Sequence, residues 1–350
     1  MKVLLLSPLP PPSGGIARWT ERYLEWSKDK YRVTVVNTAL QGERAGEAGK
    51  RRKLIDEIKR AEYVICETRK GLKDKPDLVH INTNCSRFGV FRDWICMKYA
   101  CKKKIPVIIH CHCDIADQLG TGKLATKLFS DMVNKSKKVL VLNSSSMHYV
   151  EKINSEKVEL CPNFVLTNQI SDHHKINNSI QKVVYVGDVR LSKGSDDYYI
   201  LAKENPKMEF IVVGSVTNEM SQVEKPKNVH SLGRLGEVEV EKQLDDADVF
   251  VFPSITEGFS NALLEAMARG LPIIATNVGA AMDMIENCGG TIVPVHDVKA
   301  MQSALDNMQK TETRKAMSEW NIKKVRQCYE NNQVLETLFH VYEKIRKMCG

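Results

Sequence analysis

Two carboxylates, Glu257 and Glu265, stand eight positions apart around the run Gly258, Phe259, Ser260, Asn261. The apolar stretch 249–252 precedes them and stops at Pro253 and Ser254, which punctuate the end of a strand. Helical spacing follows over 262–269, closed by Gly270 and Pro272, and a second apolar strand reads over 272–275. Strand, loop, helix and strand in this order make one unit of a parallel sheet, with a helix N-terminus turned toward the strand's carboxyl end. Unpaired N–H groups and a positive dipole end there favour an anion such as a diphosphate. Glu257 falls in the loop, and Glu265 falls two turns into the helix on roughly the same side. A carboxylate is a poor partner for phosphate but a good acceptor for sugar hydroxyls. The combination suits a nucleotide sugar, although an ordinary crossover with two solvated glutamates has the same spacing.

The whole stretch, EGFSNALLEAMARGLPIIAT, resembles nearly residue for residue the E-x7-E signature of glycosyltransferase family 4, retaining enzymes of the GT-B fold. The resemblance implies that Glu257 holds the donor sugar's hydroxyls and Glu265 the ribose hydroxyls. Gly258, Phe259, Ser260 and Asn261 would then lie at the diphosphate. Three further positions resemble family positions. Gly14-Gly15, at a turn from strand 2–7 into helix 16–26, matches the loop over the donor diphosphate. His112, at the end of strand 106–112, matches a histidine beside the donor sugar. Lys193, six residues after Gly187, matches a cation that clamps the leaving diphosphate. The companion arginine of the family does not appear, because position 188 is Asp188, and Arg190 is the nearest replacement.

Other constellations invite chemistry and lose it on inspection. His110-Cys111-His112-Cys113-Asp114 looks like a metal site, but strand alternation sends the two histidines to one face and the two cysteines to the other. Asp246-Ala247-Asp248 has the form of a DxD metal motif, yet it leads straight into the apolar strand that starts at Val249. No metal and no cofactor is therefore expected. His80, at the end of strand 77–82, reads as a structural histidine, and Ser144 as a polar group after strand 139–143. Gly14-Gly15 lacks the GxGxxG form of a dinucleotide fingerprint.

The chain of 350 residues is long enough for two domains. Residues 1–170 carry 30 Lys and Arg against 18 Asp and Glu, and residues 171–350 carry 21 against 25, so the excess of +8 arises in the first half. A basic half invites an anionic partner. Residues 50–75 read as a basic amphipathic helix with Leu54, Ile58, Ala61, Ile65 and Leu72 on its apolar stripe and Lys53, Lys59, Arg60, Arg69, Lys70 and Lys73 around it. Such a helix suits an anionic membrane surface. Nucleic acid is disfavoured, since the basic residues lack interleaved aromatics on one face. Ten cysteines without a CxxC pair, and an opening MKVLLLSPLPPPSGG that reads as a strand, point to reduced thiols and a cytoplasmic setting, peripheral to the membrane at most.

The expected fold is α/β, a GT-B pair of doubly wound parallel sheets facing a cleft. Residues 1–165 form the acceptor-side domain, 166–181 a linker, 182–330 the nucleotide-sugar domain, and 331–350 a helix returning to the first. The expected reaction is transfer of a hexose, with retention, from a nucleoside diphosphate sugar to a glycan or lipid-linked hydroxyl in surface polysaccharide or glycolipid synthesis. Alternatives are a nucleotide-sugar 2-epimerase of the same fold and a non-catalytic nucleotide-sugar-binding protein.

Overall fold

The computed structural model describes residues 1–11, 14–39 and 54–349. Two compact units emerge: Met1–Asn163 with Val334–Gly350, and Phe164–Gln333. In the first unit the order is β1 (Lys2–Ser7), α1 (Gly15–Ser27), β2 (Arg32–Asn37), α2 (Leu54–Gly71), β3 (Leu78–Thr83), α3 (Arg87–Lys102), β4 (Val107–Cys111), α4 (Ile115–Leu119), α5 (Lys123–Lys135), β5 (Lys138–Val141), α6 (Ser144–Asn154) and β6 (Val158–Leu160). The second unit follows with β7 (Lys182–Val186), α7 (Ser195–Glu204), β8 (Glu209–Val213), β9 (Val229–Ser231), α8 (Glu237–Asp245), β10 (Val249–Phe252), α9 (Asn261–Ala268), β11 (Ile273–Thr276), α10 (Ala281–Ile285), β12 (Gly290–Val293), α11 (Val298–Asn307) and α12 (Thr311–Cys328). A final helix, α13 (Asn331–Cys349), packs from Val334 onward with the first unit. Residues 166–181 belong to the second unit.

Both sheets have six strands in parallel, ordered β2-β1-β3-β4-β5-β6 and β12-β11-β10-β7-β8-β9. Parallel sheets are covered on both faces, so their strands are apolar throughout. In the second unit Val184, Phe250 and Ile273 join one core, while their sequence neighbours Val183, Val251 and Ile274 join the other. The first sheet is less symmetrical. Leu4, Leu6, Val79, Ile81, Val107 and Ile109 build an apolar core on one face. The other face carries Ser7, His80, Asn82 and His110, all buried. These polar groups are satisfied partly by one another: Asn82 Nδ2 donates to Ser7 Oγ at 2.8 Å, and Ser7 Oγ lies 2.6 Å from Thr20 Oγ1 of α1.

The expected helix over 50–75 is shorter, and its expected stripe is buried only in part: Leu72 is buried and Ile65 packs against the core. Residues 50–53 lie outside the described residues, α2 ends at Gly71, and Leu72–Asp74 is a 3-10 turn. Its buried side is carried by Val64 and Thr68, leading to Leu72, whereas Ile58 of the anticipated stripe is 46% exposed. The apolar spacing allowed either side, and packing against α3 chose between them.

Candidate functional site

Each sheet of this type reverses its winding at one point, and the crevice beyond the strand ends there is where ligands bind. In the second unit that point lies between β7 and β10, which pair directly through Val183–Val249 and Val184–Phe250. The loop after β7 carries Arg190 and Lys193, and the loop after β10 carries Glu257 and the start of α9. Topology thus sets side by side two loops that are 64 residues apart, and Lys193 Nζ forms an ion pair with Glu257 Oε1. Both side chains keep about a fifth of their surface, 20% and 17%, so the pair is reachable by solute.

Backbone contacts hold the two loops together. Ile255 N–H donates to Ser192 O at 3.3 Å. Gly194 sits at φ +63°, and a Cβ there would stand 1.9 Å from the carbonyl oxygen of Pro253. Only glycine permits both that conformation and that approach. Behind Glu257, Gly279 (φ +54°) lies so close that a Cβ would meet the Glu257 and Gly258 oxygens at 2.6 Å, and Ala280 N–H donates to Gly258 O at 3.0 Å. Ser254 Oγ donates to Glu257 Oε1 at 3.3 Å, which orients the carboxylate.

Helix α9 begins where expected from the turn chemistry. Ser260 is its N-cap, with Oγ accepting from Leu263 N–H at 3.2 Å. Ser260 thus serves the helix as its cap. Glu265 is half-buried and stands one turn into α9 rather than the expected two, since the helix starts at Asn261. Arg190 is partly buried, its Nε enclosed with no partner among the described residues, while its N–H donates to Ser195 Oγ at 3.0 Å. Asp188 faces Arg234 at 3.6 Å, a solvent-exposed pair.

Asp248 of the DxD-like stretch is occupied otherwise. Its carboxylate accepts from Gln181 N–H at 2.8 Å, Lys182 N–H at 2.9 Å and Asn177 Nδ2 at 2.8 Å. Asp246 caps α8 and is exposed. No group of three ligating side chains able to hold a metal occurs among the described residues.

In the first unit Gly14 is the extended N-cap residue of α1, with open space where a side chain would be, and Gly15 is the first helical residue. His112 follows β4, its N–H donating to Thr83 O at 2.8 Å. Strand alternation holds: the His110 and His112 rings lie 4.0 Å apart on one side of the strand, and Cys111 and Cys113 contact Cys85 on the other. Trp19 of α1 packs on His112, His110 and His80 at 5.3, 5.4 and 5.8 Å between ring centroids. Burial first, and then neighbouring His110 and His80, hold His112 well below the usual histidine range, so its ring is neutral. Its Nε2 is enclosed with no hydrogen-bond partner among the described residues. His110 donates through Nε2 to Cys161 O at 3.2 Å, and burial lowers it to about 3. His80 is structural: it is fully buried, and its Nδ1 bonds the hydroxyl of Tyr342 on α13.

The sequence does not show the Trp19 and Tyr342 contacts, the bond from Ser254 to Glu257 or the close approach at Gly279. Glycines at positive φ signal a close approach, but nothing in the sequence names the partner. A cavity of about 670 Å³ lined by His173, Lys315, Ile322 and Arg326 lies elsewhere in the second unit, and Lys193, Glu257 and Glu265 do not line it.

Known proteins resemble this chain in both sequence and fold. Residues 167–324 match the family Glycosyl transferases group 1. The capsular polysaccharide biosynthesis glycosyltransferase CapM of Staphylococcus aureus is 27% identical over 238 residues, which cover 64% of this chain and 60% of that relative. The match thus spans less than two thirds of that protein. Sucrose-phosphate synthase from Thermosynechococcus elongatus superposes with a TM-score of 0.78 at 14% identity, covering 98% of each chain. HepE of Anabaena, solved with UDP, gives a TM-score of 0.78 at 13% identity over 98% of this chain and 100% of that one. HepE has also been solved with UDP-glucose. The fold of the chain is GT-B.

Proposed function

We propose, from the premise that residues 167–324 are a group 1 glycosyl transferase domain within a GT-B chain, that the protein is a glycosyltransferase of surface polysaccharide synthesis. It moves a hexose with retention from a nucleoside diphosphate sugar to a hydroxyl of a glycan or lipid-linked acceptor. The observation that carries this reading is the meeting of Lys193 and Glu257 at the β7/β10 switch point beside the N-terminus of α9. The UDP and UDP-glucose complexes of HepE support a uridine donor.

Charge would develop on the departing β-phosphate and on an oxocarbenium-like sugar. Lys193, and the N–H groups at Gly258–Asn261, stabilise the first because they are preorganised toward the anion. The diphosphate takes Lys193 over from Glu257, which frees that carboxylate to accept from sugar hydroxyls. Glu265 accepts from the ribose. Arg190 supplies the second cation in place of the family's arginine, with Asp188 drawn toward Arg234. Gly14, Gly15 and His112 of the first unit are the remaining positions that match the family's donor-site pattern, and a neutral His112 is a hydrogen-bonding group rather than a base. No separate base is needed, because the leaving diphosphate oxygen accepts the acceptor's proton. The basic first unit works against an anionic membrane surface, and no described helix is long and apolar enough to cross one.

The test is the product's anomeric configuration. NMR of the first-formed glycoside from an α-linked UDP-sugar is expected to show an α linkage. A β linkage refutes retention, and conversion of the donor sugar at C2 without acceptor assigns an epimerase instead.

A further inference from the structure

The cavity of about 670 Å³ in the second unit has the size of a small-molecule site. Helix α12 forms one wall, and the segment 172–176 forms the other. Its floor is Ser318 and Ile322 of α12 with His174, all buried. Gly270 backs that floor. It has φ +74°, and a Cβ there would stand 2.8 to 3.0 Å from Ile322, Ser318 and His174. Gly270 lies between α9 and β11, and His174 Nε2 donates to Ala247 O, just before β10, at 2.9 Å. The cavity therefore adjoins the amino ends of β10 and β11. Lys193 and Glu257 stand on loops at the carboxyl ends of β7 and β10, so cavity and donor loops occupy opposite edges of one sheet.

The lining has a mixed chemistry that one kind of ligand would use in full. Helical spacing sets Lys315, Glu319 and Lys323 along one rim, each four residues from the next. All three are exposed, and none forms an ion pair among the described residues. Arg326 is already committed to Asp172 Oδ1 at 2.6 Å and to Ser171 O at 3.2 Å. The cavity is thus left with two uncommitted cations and one carboxylate between them. Ser318 adds a hydroxyl that is 3% exposed and forms no hydrogen bond among the described residues. Ile322 and Ile176 make the surface around it apolar. A bare anion would use the lysines and be repelled by Glu319. A neutral sugar would use Glu319, Ser318 and the apolar surface, and leave both lysines idle. A sugar bearing an anionic group uses all of them, because its hydroxyls donate to a carboxylate and its acid accepts from ammonium groups.

We propose that this cavity is a second carbohydrate site, which takes a sugar carrying a phosphate or carboxylate. Lys315 and Lys323 hold the acid, Glu319 and Ser318 hold hydroxyls, and Ile322 with Ile176 covers the C–H face of the ring. Two sources offer this chemistry: a free sugar phosphate, and an acidic sugar within a glycan chain. The site shares no residue with the donor loops, so it stands whether or not the proposed function does.

The experiment is calorimetric titration of the full chain, with and without saturating UDP, using four probes: glucose 6-phosphate, tetragalacturonate, maltotetraose and inorganic phosphate. The parent is expected to bind at least one acidic sugar in the presence of UDP, and to bind maltotetraose and phosphate more weakly. Tighter glucose 6-phosphate identifies a metabolite site, and tighter tetragalacturonate a chain site. Lys315→Ala with Lys323→Ala should lower that affinity roughly tenfold. Ser318→Ala should lower it about threefold. Glu319→Gln separates sugar from anion, since it should weaken the acidic sugar and strengthen inorganic phosphate. Both lysines are exposed, so the thermal transition and UDP binding of the double variant should stay at parental values. Absence of UDP binding in the parent removes the donor assignment and leaves these titrations standing. A parent that binds neither acidic sugar overturns the proposal, as does a double lysine variant that binds like the parent. Equal affinity for maltotetraose or for phosphate also overturns it. An acidic sugar that UDP displaces belongs to the donor loops, and that result overturns it too.

Discussion

Replacing Gly194 by alanine tests what brings Lys193 to Glu257. The residue lies at φ +63°, where a side chain costs about 1–2 kcal/mol. A Cβ would also stand 1.9 Å from Pro253 O, which is backbone at the end of a buried strand and has little room to yield. The turn carrying Lys193 must therefore move as well, and the total cost should be roughly 2–4 kcal/mol. Gly233 provides the comparison, because it has φ +72° but nothing within 4 Å of its would-be Cβ. Gly233→Ala should show the conformational cost alone, roughly 1–2 kcal/mol. For a unit of this size each kcal/mol moves the midpoint by about 2–4 °C, so Gly194→Ala should melt roughly 4–16 °C lower. Displacement of Lys193 should also remove a charge-assisted bond to the diphosphate, weakening UDP by roughly ten- to a hundredfold. Calorimetric melting and titration with UDP measure both effects. If the two alanine variants melt alike and Gly194→Ala binds UDP as the parent does, close approach to Pro253 is not what places Lys193.

Glu265→Gln should weaken UDP binding by roughly 1.5–3 kcal/mol, the worth of hydrogen bonds to a charged acceptor, and parental affinity by titration calorimetry would remove Glu265 from the ribose. Transfer activity is expected to survive EDTA, since three donors fill the Asp248 carboxylate; loss on chelation with rescue by manganese would reinstate a metal. Burial lowers His110 to about 3, against about 6.5 in an unfolded chain, so the unfolded state binds the extra proton between these values. Stability is therefore lost as pH falls through that window, by about 1.4 kcal/mol per pH unit for this histidine, and urea titrations of His110→Asn should show a shallower acid limb. An unchanged limb would mean that other groups set the acid sensitivity.

The strands were legible because parallel strands covered on both faces are apolar runs with little ambiguity. Lys2–Ser7, Val158–Leu160, Lys182–Val186 and Val249–Phe252 have the bounds their composition suggests. The cap at Ser260 and the helix after it were legible for a similar reason, since N-cap chemistry is local. The alternation that separates His110 and His112 from Cys111 and Cys113 is likewise a property of any strand. Sequence thus determined the elements, their types, and which residues could do chemistry.

Tertiary structure decided which of those residues meet. Lys193 and Glu257 are joined by the direct pairing of β7 with β10, a contact that strand order alone creates. Burial of Val64 and Thr68 rather than Ile58 depends on the helix packed against α2, because an amphipathic stripe of mixed composition offers more than one side to a core. His80 became structural through Tyr342, 262 residues further along the chain. His112 became a neutral ring through the neighbours that bury it, and a histidine's charge is fixed by its surroundings rather than by its type. Local physics is written along the chain, whereas desolvation and the pairing of distant groups exist only once the chain has closed on itself.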